Sequence, residues 1–148
     1  MTTDLQALYQ DTILEHHRQP RNFRALAGGH KAEGHNPLCG DRLTVFVLVR
    51  DGLIEDVSFQ GVGCAIATAS ASLMTEQVKG KAPEEVDRLC ALVQHMVASP
   101  EGETIQNWGE LAPLAGVRRF PVRAKCALLP WQTLRAAVAA GDEIVSTE

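Results

Sequence analysis

Little in the chain commits it to a special environment. No stretch of its 148 residues approaches the roughly 18 unbroken apolar residues of a membrane span. The start, Met-Thr-Thr-Asp-Leu-Gln, lacks the basic-then-apolar layout of a secretory leader, so a reducing cytoplasm is the expected compartment. Aromatic residues are few (four Phe, two Trp and one Tyr), and 14 basic side chains face 18 acidic ones, which argues against a nucleic-acid groove. Repeats, low-complexity tracts and long linkers are missing, so residues 1–148 are expected to form one domain. There is no C-x-x-C pair, and zinc-ribbon and thioredoxin readings lose their usual support.

What remains is ordinary globular material, 45% apolar and 22% charged, long enough to bury a core without disulfides. Four cysteines in such a chain need another explanation. In a reducing compartment they are expected to be free, metal-bound or reactive.

The spacing predicts a helix over Asp4 to His17, with Leu5, Leu8, Tyr9, Thr12, Ile13 and His16 on one side and Thr3 or Asp4 as its cap. From Pro20 to Asp41 the Gly, Pro, His and Asn content reads as loop. Leu43 to Arg50 and Leu53 to Gln60 are β-rich runs around Asp51-Gly52, a strong hairpin signal. Ala65 to Lys79 reads as a helix of small residues stopped by Gly80. Pro83 opens another helix, with Val86, Leu89, Cys90, Val93, Met96 and Val97 as its apolar stripe and Ser99-Pro100 as its end. After a polar, Gly-rich piece over 101–109 and a short Leu111 to Leu114 segment, a last helix is expected from about Ala127 to Ala140. Pro130 would then sit in its first turn and Gly141 just past its end. The order predicts an α+β domain: a small, largely antiparallel sheet packed against several helices.

Cys39, Cys64 and Cys126 each fall at a junction between loop and element, where side chains can share a cavity. Cys64 and Cys126 are expected at helix N-termini, which favour the thiolate, and Arg42, Arg123 and Lys125 push the same way. Cys90, on an apolar helix face, reads as a small buried hydrophobe. Three thiolates leave a tetrahedral ion one ligand short. Asp41, two residues from Cys39, is the nearest fourth donor, though a strand-start carboxylate can instead bond backbone N–H groups. His35 competes for the same role. Zn²⁺ or iron would relieve the repulsion of such a set, whereas Mg²⁺ and Ca²⁺ prefer oxygen. His16 reads as a satisfied structural histidine; His17, His30 and His95 read as surface residues.

These motifs resemble the iron–sulfur cluster assembly scaffolds of the IscU, SufU and NifU N-terminal type. The matching pieces are Ile13-Leu14-Glu15-His16 with Pro20-Arg21-Asn22-Phe23, and Asn36-Pro37-Leu38-Cys39-Gly40-Asp41. Gly61-Val62-Gly63-Cys64-Ala65-Ile66-Ala67, Ala69-Ser70-Ala71-Ser72 and Lys125-Cys126-Ala127 follow in the family's order. The resemblance implies that Cys39, Asp41, Cys64 and Cys126 converge at one exposed end. The IscU branch has a histidine directly before the third cysteine, where this chain has Lys125, and a shorter stretch between the second and third cysteines. Both departures resemble the SufU branch. That likeness implies a zinc-dependent sulfur acceptor, which takes persulfide sulfur from a SufS-like, pyridoxal-phosphate cysteine desulfurase and serves downstream iron–sulfur assembly proteins. It makes Cys39 the attacking thiolate, released when a desulfurase histidine replaces it on the zinc, with Arg123 steadying the thiolate or the partner. The alternative is a non-enzymatic scaffold carrying a [2Fe–2S] cluster on the same four ligands. A structural zinc domain with only a binding role is a third possibility.

Overall fold

Asp51-Gly52 closes the hairpin at the centre of the fold. In the computed structural model, which describes residues 5–100, 109–139 and 144–146, β2 (Asp41–Arg50) and β3 (Leu53–Val62) pair antiparallel around that dipeptide. Asp51 and Gly52 have φ of 58° and 77°, the left-handed pair that matches a two-residue turn to the twist of its strands. β1 (His30–Asn36) pairs antiparallel with the other edge of β2, and β4 (Ile144–Ser146) runs parallel to β1. The sheet order is β3-β2-β1-β4. With α1 (Leu5–Arg18), α2 (Ala65–Val78), α3 (Pro83–Ala98), a 3₁₀ segment (Gly109–Arg119) and α4 (Pro121–Ala139), this is the expected α+β arrangement.

β1 corrects the reading of the stretch before Asp41 as loop. Its residues, His-Lys-Ala-Glu-Gly-His-Asn, include no β-branched or aromatic side chain, so no local propensity announces a strand. Packing explains the composition. Ala32, Gly34 and Asn36 alternate onto the buried face, where α4 lies against β1. A Cβ on Gly34 would overlap the Thr133 hydroxyl. β4 is also additional to the sequence reading, which ended the regular elements with the last helix.

The helices follow their sequence signals with one exception. Every residue of the expected α3 stripe is buried, and Pro83 opens that helix. Tyr9, Ile13 and His16 of α1 are buried, and the His16 Nδ1 lies 2.7 Å from Ser72 Oγ. The proposed caps Thr3 and Asp4, most of the 101–109 piece, and Ala140 and Gly141 lie outside the described residues. Between α1 and α4, α2 is buried nearly all round, because its Ala and Ser side chains permit close approach on several sides. Ser70 Oγ donates to the Ala127 carbonyl at 2.7 Å and accepts from Trp131 Nε1 at 3.1 Å, tying α2 to α4. Leu43, Val45, Val47, Ile54, Val57 and Phe59 supply the sheet's share of the core.

α4 is the exception. It begins at Pro121 rather than near Ala127, so Pro130 lies inside the helix and not in its first turn. Pro121 takes the favoured opening position. Pro130 has no N–H to give the Cys126 carbonyl four residues back, a local loss that packing against the sheet and α2 offsets. Cys126 is consequently a helical residue in the second turn, not one at the helix N-terminus.

Candidate metal and sulfur site

Four elements deliver the candidate side chains to one end of the sheet. Cys39 rides the turn between β1 and β2, where its N–H donates to the Asn36 carbonyl at 3.1 Å. Gly40, at φ +75°, turns the chain into β2. Asp41 is the first residue of β2 and only 2% exposed. Cys64 caps α2, its Sγ accepting from the Ala67 N–H at 3.4 Å. Its own N–H donates to Asp41 Oδ1 at 2.9 Å, and its Sγ stands 4.0 Å from Asp41 Oδ2. Cys126 comes from α4, fully buried, with its Sγ 3.1 Å from that of Cys39.

Ligand atoms of Cys39, Asp41 and Cys126 lie within 4.8 Å of one another. A tetrahedral ion with bonds of about 2.0–2.3 Å spaces its donors by about 3.3–3.8 Å, so small side-chain adjustments suffice for one ion to reach all three. Cys64 Sγ stands 4.0 Å from Asp41 Oδ2 but outside the group whose ligand atoms all lie within 4.8 Å of one another, so it is a fourth donor only if its side chain moves closer. Sulfur with a single carboxylate suits Zn²⁺ or iron and does not suit Mg²⁺ or Ca²⁺. The donor set therefore fits a thiophilic ion. Asp41 is the strand-start carboxylate bonded to a backbone N–H that the sequence allowed for, and its second oxygen stands near the thiols.

The thiols are electrostatically unequal. The hydrogen bond with Cys126, aided by the Ala67 N–H, draws the Cys64 thiol well below its ordinary value. Cys126 moves the other way, because Cys64 takes the charge of the pair and burial disfavours a second anion beside Cys39 and Asp41. The expected helix-terminal support for a Cys126 thiolate is thus absent: the side chain starts inside the helix, not at its positive end. Arg123 is exposed one turn before Cys126, and its bond to that thiol, with Cys64 and Cys39 nearby, holds the guanidinium more firmly charged. Cys90 is separate from the site. Its thiol donates to the Trp131 carbonyl at 3.3 Å, and burial pushes its pKa up to about 12.

Two other sequence candidates are directed elsewhere. His35 projects from the face of β1 opposite Asn36, and its Nε2 lies 3.8 Å from a Glu33 carboxylate oxygen. It does not join Cys39. Lys125 is exposed beside, not within, the cluster. The residue that sequence reading passed over is Asn36, fully buried and paired across the strands with Asp41. Its Nδ2 is 3.8 Å from Cys126 Sγ. Recognising β1 as a strand would have placed it on the same face as Asp41; read as loop, it carried no such signal.

The site opens into a groove of about 880 Å³, lined by Tyr9, Leu38, Cys39, Cys64, Phe120, Val122 and Arg123 among others. Leu38, Phe120 and Val122 are exposed apolar side chains on its rim. Among the described residues, no helix is long and apolar enough to cross a membrane.

Comparison with known proteins gives one family. Residues 8–145 match the model of the NifU-like N-terminal domain. The zinc-dependent sulfurtransferase SufU of Bacillus subtilis is 36% identical over 136 residues, spanning 92% of each chain. The iron–sulfur cluster assembly scaffold protein IscU of Streptococcus pyogenes is 38% identical over 134 residues, 90% of this chain and 84% of that one. Among solved structures, a putative iron–sulfur cluster assembly scaffold protein for the SUF system from Fervidobacterium islandicum superposes with a TM-score of 0.80 at 31% identity. That match covers 90% of this chain and 98% of the other.

Proposed function

Because the chain belongs to the NifU-like N-terminal domain family of iron–sulfur cluster assembly proteins, we propose that it acts within that process as a zinc-dependent sulfur acceptor. Its donor is a pyridoxal-phosphate cysteine desulfurase of the SufS type. The observation that carries this reading is the unequal placement of the thiols around one donor set. Cys126 is sealed inside α4; Cys39 and Cys64 are both half-buried at the open groove, but Cys64 is held at the α2 cap whereas Cys39 sits on a turn. Zinc, when bound, would keep Cys39, Asp41, Cys64 and Cys126 together and shield the thiolates from oxidation.

Cys39 is the thiol that can leave such a set without disturbing a helix. As a thiolate it attacks the outer sulfur of the desulfurase persulfide. A sulfur–sulfur bond forms at Cys39 while the one on the desulfurase breaks, and the desulfurase cysteine departs as a thiolate. No electron is gained or lost overall, so no further oxidant or reductant is needed. Arg123, charged and at the groove, would steady the anion as it moves. The apolar rim of Leu38, Phe120 and Val122 gives a partner surface on which to seal water out.

The test is desulfurase turnover with this protein added, followed as alanine production and as persulfide on Cys39. The parent should raise the rate and carry the persulfide; Cys39→Ala should do neither, and Arg123→Ala should do so more slowly. If Cys39→Ala accepted sulfur as well as the parent, the assignment would be wrong. The likeness to a protein named as an IscU scaffold favours a second reading, assembly and transfer of a [2Fe–2S] cluster on the same residues. Anaerobic reconstitution followed by transfer to an apo-ferredoxin separates the two. Lys125, where the IscU branch has a histidine, weighs against the cluster reading.

A further inference from the structure

Asn36 is an unusual residue to find where it is. It is the last residue of β1, completely buried, and its side chain shares a face with Asp41 directly across the strand pair. Its Nδ2 points to Cys126 Sγ at 3.8 Å, and its Oδ1 has no hydrogen-bond partner among the described residues. A buried amide that leaves its oxygen unpaired is costly, and an apolar side chain of the same shape would avoid that cost. Packing therefore does not account for an amide here; the sulfur does. Cys126 is surrounded by electron-rich groups, namely Cys39 at 3.1 Å, Asp41 and Cys64. Asn36 offers it a buried N–H donor. The backbone carbonyl of the same residue accepts the Cys39 N–H, so Asn36 touches both the helix thiol and the turn that carries Cys39.

We propose that Asn36 is a positioning residue that anchors Cys126 through an N–H···S bond, making Cys126 a retained metal ligand while Cys39 is the one that leaves. The inference rests on the metal-site reading above and deepens it. The N–H stabilises electron density on the Cys126 sulfur when that sulfur is ionised in the metal-bound site. Cys39 has no comparable side-chain donor in its turn. Partners of ligating groups fix ligand orientation, and their loss commonly weakens metal binding by about 10–100-fold.

The test uses the full chain with Asn36→Leu, which keeps the branched outline of the side chain but removes the donor. Asn36→Asp, which keeps the shape but puts an acceptor where the N–H was, is the second variant. Three quantities are read: zinc affinity by chelator competition, the thiolate-to-metal charge-transfer bands of the Co²⁺-loaded protein, and the unfolding midpoint of the metal-free protein. Both variants should bind zinc about ten-fold or more weakly and shift the Co²⁺ bands. Metal-free Asn36→Leu should melt no lower than the parent, since it no longer buries an unpaired amide oxygen. Should Asn36→Leu not fold, Asn36→Asp carries the affinity and spectroscopic test. Parent-like affinity and bands in a folded variant would overturn the role of Asn36 alone. A parent that binds neither zinc nor Co²⁺ would remove the metal-site reading itself, and this inference with it.

Discussion

Gly116 lies in the 3₁₀ segment, where α1 crosses it, and a Cβ at that position would run into Cβ, Cγ and Cδ1 of Tyr9. Tyr9 is 9% exposed and forms part of the groove wall beside Cys64. The obstacle is a ring held on a helix, not the free end of a flexible chain, so Gly116→Ala must push α1 outward or twist Tyr9 off its rotamer. Overpacking of this kind costs about 1–3 kcal/mol. Replacing a glycine whose backbone suits alanine returns about 0.4–1 kcal/mol by narrowing the unfolded ensemble. A net loss of about 1–2 kcal/mol is expected, and for a chain of this size each kcal/mol lowers Tm by about 2–4 °C. Thermal unfolding of the metal-free protein measures it. The diagnostic control is Tyr9→Ala: it is destabilising by itself, but Gly116→Ala should cost little in its background, a coupling of about 1 kcal/mol or more. Strict additivity of the two substitutions, or a Gly116→Ala protein as stable as the parent, would refute the packing argument.

Two further substitutions probe residues away from the thiol cluster. Burial, with help from Arg21, holds the His16 imidazole below its ordinary value of 6.5, while Glu76 and Glu15 oppose the shift. The unfolded chain therefore takes up the His16 proton first as pH falls, and the stability this histidine contributes is complete above 6.5. It declines as pH drops from there through the lower folded-state value. Unfolding free energy measured against pH should show that slope in the parent and a shallower one in His16→Gln; identical slopes would contradict it. Cys90→Ala should lower stability by about 1 kcal/mol through the lost sulfur contacts. It should leave metal stoichiometry and sulfur acceptance as in the parent, and loss of an equivalent of metal would show that Cys90 had been misplaced in the packing.

What could be read in the sequence was whatever local chemistry dictates. The hairpin followed from Asp51-Gly52, α3 from its stripe and Pro83, and the end of α2 from Gly80, which takes φ +86°. The family motifs implied that Cys39, Asp41, Cys64 and Cys126 converge at one exposed end; ligand atoms of Cys39, Asp41 and Cys126 lie within 4.8 Å of one another, Cys64 stands beside Asp41 outside that group, and Asp41 and Cys126 are buried. Features set by distant partners were not legible. β1 has a composition chosen by the close approach of α4, so Gly34 and Asn36 look like loop residues until Thr133 and Cys126 are seen beside them. The start of α4 was misjudged because Pro130 is disfavoured inside an isolated helix, and only tertiary packing makes it tolerable. That shift moved Cys126 from a helix end to a helix interior, and its thiol is pushed up, against the direction expected, by Cys64, burial, Cys39 and Asp41. His35 was excluded by strand alternation, which has meaning only once β1 exists.

The central claim is that one thiophilic ion, zinc, occupies the end of the fold where these side chains meet. Metal analysis of protein purified without added metal tests it most directly, with Asp41→Ala prepared alongside. The account predicts one equivalent of zinc in the parent, no inorganic sulfide, and most of the zinc lost in Asp41→Ala. Iron with stoichiometric sulfide in the parent, or full zinc retention without Asp41, would contradict it.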